Sequence, residues 1–169
     1  AGTLAGVETS KLEFFDIQNV RLTTGNRADA IELPHVQGGM AAHGLVNFTL
    51  QTGAGDDTLT LRGGELNPPA SVEQFLSSGG TSATRLVGAF TFDGGDGKDS
   101  VVTNSNNSWM LRSASLETTA GARLLLANVE SASLNGSAGG TVFNHFLVEG
   151  WTGALRLDGG GGVDSYQVQ

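Results

Sequence analysis

Six aspartates stand where tight turns would gather hard oxygen donors. The stretch GAGDDTLTL at residues 53–61 reads glycine, any residue, glycine, any residue, Asp, small polar residue, apolar residue. The pattern returns as GDGKDSV at 95–101 and GGGVDSY at 160–166. Asp57, Asp99 and Asp164 close these copies, Asp29 takes the same place in a more divergent one, and Asp56 and Asp96 lie close by. If equivalent turns stack at the ~4.8 Å spacing of paired strands, neighbouring carboxylates repel. The repulsion is about 1 kcal/mol in water and about 3.5 kcal/mol at an effective dielectric of 20. Two chemistries relieve it. A hard cation, calcium first, would take carboxylate and turn-carbonyl oxygens, with Gly53, Gly55, Gly95, Gly97, Gly160 and Gly162 letting the backbone approach. Asp57 and Asp99 are then the leading ligands, followed by Asp29, Asp56, Asp96 and Asp164. Alternatively, each Asp caps a turn by accepting backbone N–H groups and needs no ion.

The remaining chemistry is sparse. His35, His43 and His145 have no metal-ligand spacing, and no G-x-S-x-G, H-E-x-x-H or P-loop pattern occurs. Trp109 and Trp151 are of the type that stacks on sugar rings, or that fills a corner between strands. Thr58 and Thr60 form no regular threonine row, because the equivalent positions hold Ala30, Glu32, Ser100 and Val102.

The elements that position the aspartates follow from aligning the chain with itself. Anchors at Asp29, Asp57, Asp99, Thr141 and Asp164 lie at successive intervals of 28, 42, 42 and 23 residues. Nine residues before each anchor stand Val20, Phe48, Phe90, Ala132 and Leu155; two after it stand Ile31, Leu59, Val101, Phe143 and Tyr166. Apolar residues two apart on both sides of the turn predict a strand, a glycine turn and a second strand in each copy. Strands recurring in one sense after 23 to 42 residues pair in parallel, since the intervals supply the dozen or more residues a crossover needs. Stacked copies bury one core and leave surplus sequence as outer loops. The surplus falls at 62–87, with Pro68-Pro69 and a short helix-like SVEQFL, and at 103–128, where SWMLRSASLETTAGARLLLAN reads as two or three extra short strands. Because 42 is twice 21, either long interval can also hold two coils. VETSKL at 7–12 echoes VESASL at 129–134 and reads as the end of a preceding coil or a cap.

Composition narrows the class. Glycine supplies 26 of 169 residues, about twice its usual share of roughly 7%. With 38% apolar residues this points to many tight turns around a core, not to disorder. A net charge of −8 argues against nucleic acid and anionic membranes as partners and favours cations. No cysteine is present, which removes disulfides and thiol chemistry. No apolar run approaches the length that spans a bilayer, and AGTLAGVETSKLEF has no signal-peptide pattern; an exported protein would here be a mature chain or a fragment.

At its G-x-G-x-D-x-apolar copies the chain resembles the hemolysin-type calcium-binding repeats of bacterial RTX proteins. It is more similar still to a longer pattern of large bacterial surface and adhesin-like proteins. SWMLRSASL, ANVESASLNGSAGG and GWTGALRLDGGGGVDSY within 108–168 carry that likeness well, and 11–102 more loosely. The resemblance implies stacked β-solenoid coils on a secreted protein, serving as scaffold, adhesion or self-association module, with calcium in some turns. The copies depart from the nine-residue spacing of RTX arrays, and Arg27 and Thr141 replace a turn glycine and an anchor Asp.

The sequence thus predicts an all-β chain forming a single domain over 1–169. The fold expected is a right-handed parallel β-solenoid, or β-helix, of about five irregular coils with two long excursions. The expected function is a non-enzymatic structural or adhesive module, secreted or at a bacterial cell surface, part of a larger extracellular assembly or fibre. Its expected partners are further copies of itself, other surface proteins or polysaccharide. A calcium-dependent folding module and a polysaccharide-acting β-helical enzyme are the alternatives.

Overall fold

A computed structural model describes residues 19–33, 47–62, 90–105, 107–118, 123–136 and 142–169. Within them the chain is all-β and contains no helix. The strands are β1 (Asn19–Thr23), β2 (Ala30–Leu33), β3 (Asn47–Gln51), β4 (Thr58–Leu61), β5 (Phe90–Asp93), β6 (Ser100–Asn104) and β7 (Trp109–Arg112). They continue with β8 (Ser115–Thr118), β9 (Arg123–Ala127), β10 (Ser131–Asn135), β11 (His145–Glu149), β12 (Ala154–Asp158) and β13 (Ser165–Val168).

Two sheets result. Sheet A has eight strands in the order β1-β3-β5-β9-β8-β7-β11-β13, and sheet B five in the order β2-β4-β6-β10-β12. From β1 to β6 the chain alternates between sheets, one strand in each. The alternation in sequence explains the layering. In NFTLQ of β3, Phe48 and Leu50 point inward and Thr49 outward; in TLTL of β4, Leu59 and Leu61 do the same. Inward residues of both sheets form one core, with Leu50, Leu59, Phe92, Leu111, Leu116, Leu134 and Phe146 fully buried. Each such side chain contributes about 1.5–3 kcal/mol relative to an exposed one.

The predicted register holds through the first three copies. Val20 pairs with Phe48 and Phe48 with Phe90, while Ile31 pairs with Leu59 and Leu59 with Val101, all in parallel. The Phe48 and Phe90 rings lie 6.4 Å apart. Thr103 breaks the apolar column, yet it is buried because its hydroxyl accepts the Asn135 amide at 3.2 Å.

The fourth copy departs from prediction. Leu124, not Ala132, sits beside Phe90, and Ala132 pairs with Val101 in sheet B. The aligned columns had placed a post-turn strand as a pre-turn one, half a level out of phase. Ala132 with Leu155, and Leu134 with Leu157, keep the expected 23-residue interval. The fifth copy shifts as well: Tyr166 pairs with Phe146, and Phe143 stands exposed before β11.

The excursion at 103–128 holds the extra short strands that SWMLRSASLETTAGARLLLAN predicts, β7, β8 and β9, but they lie within sheet A and not in an outer loop. It supplies β7 and β8, which with β9 form an antiparallel run inside sheet A, so pairing is not parallel throughout. Trp109, Leu111 and Leu116 belong to the core. The reason lies in WMLR and SLET: both carry inward apolar residues that an outer loop would leave in water. Of the other excursion, Arg62 pairs with Glu32 at 2.8 Å. The remainder of 62–87, the VETSKL segment, His35, His43 and Thr141 lie outside the described residues.

Candidate functional site: the aspartate corner

The turns leading from sheet A to sheet B carry Asp29, Asp57 and Asp99 in one column. Gly53, Gly55, Gly95 and Gly97 all have positive φ, the region in which a Cβ is strained. Close approach reinforces the need for glycine. A Cβ on Gly95 would lie 1.9 Å from the Gly53 carbonyl oxygen, and one on Gly97 2.0 Å from that of Gly55. This proximity lets Gly55 donate to the Asp96 carbonyl at 2.8 Å and Asp96 donate to that of Gly53 at 2.8 Å.

The carboxylates of Asp57 and Asp99 each bind the level before them. The Asp29 amide donates to Asp57 Oδ1 at 2.7 Å and the Asp57 amide to Asp99 Oδ1 at 2.8 Å. The Asp99 amide continues the series, donating to Glu130 Oε2 at 2.7 Å. In return, the Thr58 amide donates to the Asp29 carbonyl and Ser100 to that of Asp57, both at 2.8 Å. Carboxylate capping was one expected role of these residues; the bonds run between levels, not within one turn. Threonines reinforce the same edge, Thr24 Oγ1 donating to the Thr52 carbonyl and Thr52 Oγ1 to that of Gly94, each at 2.9 Å.

Glu130 is a functional member of the column that the Gly-Asp pattern does not reveal. The preceding Asn128 adopts φ 51°, the left-handed role that glycine fills elsewhere. An Asn followed two residues later by an acidic residue was the available signal.

The six sequence candidates do not converge. Asp56 and Asp96 are exposed, and Asp56 Oδ1 accepts the Lys98 amide at 3.0 Å. Asp164 lies in a turn running the other way, from sheet B to sheet A. There it repeats the device with a different partner: the Asn144 amide donates to Asp164 Oδ1 at 3.0 Å, and Ser165 donates to the Asn144 carbonyl at 2.9 Å. Gly160 and Gly162 serve this turn with positive φ. Asn144, not Thr141, is therefore the counterpart of Asp164.

Electrostatically the column is strained. Asp57 and Asp99 are buried, and Oδ2 of Asp29, Asp57 and Asp99 is buried with no hydrogen-bond partner. Burial pushes the Asp99 carboxyl above its ordinary value; the Asp57 amide opposes this, and the charges of Asp57, Glu130 and Asp56 add to it. Each of the three levels thus offers one uncommitted hard oxygen. Among the described residues no three acidic or histidine side chains converge on one point. A calcium shell of six to eight oxygens would have to draw mainly on turn carbonyls.

Elsewhere, His145 Nδ1 lies 2.5 Å from Ser165 Oγ on sheet A. Trp109 is buried in the core, and Trp151 is half-buried against it while donating to the Ala154 carbonyl at 3.3 Å. A shallow groove of about 240 Å³ on sheet B is lined by Ser100, Ser131, Ser133 and Arg156, the last bonded to Asp158 at 3.0 Å.

Comparison of the chain with protein-family models, with curated proteins and with solved structures finds no match.

Proposed function

We propose that the chain is a parallel β-solenoid segment of a bacterial extracellular scaffold, presenting its outer faces and loops for attachment. One observation carries this reading: the Asp29–Asp57–Asp99–Glu130 ladder, in which conspicuous carboxylates bond the amides of adjacent levels. Polar groups committed to joining levels build a rigid support. The acidic, cysteine-free composition accords with an exported protein. Beads coated with the purified chain are expected to attach to matrix-protein or polysaccharide surfaces, leaving polysaccharide chain length unchanged. Shortening of a polyuronate by the chain would instead favour a carbohydrate-active enzyme, and absence of attachment would remove the adhesive role.

A second reading is favoured by the three buried, unpartnered Oδ2 atoms: calcium binds along the corner and stabilises the fold. Melting curves in calcium and in chelator decide it. Identical curves end the calcium reading and leave capping as the role of the column.

A further inference from the structure

Asn or Asp precedes glycine at Asp93–Gly94, Asp96–Gly97, Asn135–Gly136 and Asp158–Gly159. Each such pair can close a five-membered succinimide ring on itself. The glycine amide nitrogen gives up its proton and attacks the side-chain Cγ, an approach that the missing Cβ leaves open. An Asn loses ammonia in this step; an Asp, in its protonated form, loses water. A water molecule then reopens the ring. Where it attacks the main-chain carbonyl carbon, the glycine nitrogen stays on Cγ and the product is isoaspartate. Ring closure needs both groups free, the amide from its hydrogen bond and the side chain from its partners. In an unstructured chain at neutral pH Asn135–Gly136 reacts first, since the aspartates are ionised and a carboxylate resists attack.

The fold inverts that order. The Gly136 amide donates to the Asp158 carbonyl at 2.6 Å. The Asn135 side chain is held at both ends, Nδ2 donating to Asn104 Oδ1 at 3.1 Å and Oδ1 accepting Ser133 Oγ at 3.3 Å. The Gly94 amide donates to the Ala127 carbonyl at 3.0 Å, while Asp93 Oδ1 accepts Asn128 Nδ2 at 2.8 Å. The Gly159 amide donates to the Tyr166 hydroxyl at 2.8 Å, and the Asp158 carboxylate meets Arg156 at 3.0 Å. Asp96–Gly97 differs from all three. Both residues are exposed, and among the described residues neither the Gly97 amide nor the Asp96 carboxylate has a hydrogen-bond partner.

We propose that Asp96–Gly97 is a covalent modification site of the folded protein, converting spontaneously to isoaspartate while the fold shields Asn135–Gly136. The product matters because of where it forms. Isoaspartate routes the main chain through Cβ and so lengthens it at a residue that joins two levels. The Asp96 amide donates to the Gly53 carbonyl and its own carbonyl accepts the Gly55 amide, both at 2.8 Å. Two further bonds between levels follow directly: the Lys98 amide donates to Asp56 Oδ1 at 3.0 Å, and Asp99 Oδ1 accepts the Asp57 amide at 2.8 Å. The inserted carbon shifts Lys98 and Asp99 relative to these partners, so the modification loosens the aspartate ladder at its centre. The inference needs only the fold and stands apart from the scaffold reading.

The test ages the folded chain at neutral pH beside the same chain unfolded in guanidinium chloride. An isoaspartate methyltransferase with a labelled methyl donor counts the product, and peptide mapping by mass spectrometry places it. In the folded chain, isoaspartate at Asp96 is expected to outpace change at Asp93, Asn135 and Asp158 by at least about tenfold. In denaturant Asn135 is expected to lead instead. Asp96→Asn, an exposed change with no side-chain bond to lose, is expected to react several-fold faster at this site and to release ammonia. Asp96→Glu, whose longer side chain does not close the five-membered ring, is expected to abolish methyl acceptance by the folded chain. Circular dichroism reports the fold of both variants. Folded chain in which Asn135 changes as fast as in denaturant overturns the inference. So does methyl acceptance that survives Asp96→Glu, or an aged folded chain with no isoaspartate at Asp96.

Discussion

The Asp57 carboxylate accepts the Asp29 amide across adjacent levels at 2.7 Å, while the other oxygen of the same carboxylate is buried without a partner. One oxygen is structural and one is uncommitted, so substitutions that keep or remove the acceptor separate the two. Asp57→Asn retains an oxygen for the Asp29 amide and removes charge from the column. It is expected to change unfolding free energy by less than about 1 kcal/mol. Asp57→Ala leaves a part-buried amide unmet and is expected to cost about 1–3 kcal/mol. Urea denaturation of both variants measures the difference; equal losses would show that the bond contributes nothing.

Asp99 makes stability depend on pH in an unusual direction. Its folded-state pKa lies above the ordinary 3.8, chiefly because of burial. Between those values the native state holds a proton that the unfolded chain has released. The stabilisation is therefore complete below 3.8 and is lost as pH rises through the folded value. Asp99→Asn carries no charge and should lack this decline, melting higher than wild type above the folded pKa in calcium-free buffer. Melting temperatures across an acid-to-neutral series check it. Parallel profiles for the two proteins would refute the assignment to Asp99.

Two glycines with positive φ should respond very differently to alanine. At Gly150, φ is 66° and nothing lies within 4 Å of an added Cβ, so Gly150→Ala should cost only about 1–2 kcal/mol of backbone strain. At Gly95, φ is 88° and the Cβ meets backbone oxygen at 1.9 Å. Gly95→Ala is expected to cost at least about 2 kcal/mol more, since backbone must shift. Chemical denaturation of the pair gives the comparison.

The β7–β8 insertion offers a test of whether 103–123 is structural. Leu116 is fully buried, so Leu116→Ala should destabilise by about 2–5 kcal/mol. An external loop would give a change within about 0.5 kcal/mol.

The sequence was most legible where turn and strand agree. Gly53–Gly55–Asp57 and Gly95–Gly97–Asp99 mark the same edge of successive levels, and alternation in NFTLQ and FTFD sets which side is core. Legibility failed where both edges use one solution. The Asp164 turn and the Asp57 turn share Gly-x-Gly-x-Asp, although one leads into sheet A and the other into sheet B. Local chemistry specifies how a chain turns, not which sheet it enters. The fourth level was obscured by substitution: Asn128 and Glu130 perform the roles of glycine and Asp, while Ser137, Gly139 and Thr141 imitate the pattern downstream. The unmet Oδ2 atoms had no sequence signature at all, because they follow from packing between levels separated by 28 and 42 residues.

The unequal strand count of the two sheets has a geometric consequence. Between β9 and β11 sheet A inserts β8 and β7, three strand spacings or about 14 Å, while their successors β10 and β12 are neighbours at about 5 Å. One side of the stack is therefore longer than the other by roughly 10 Å over a single level.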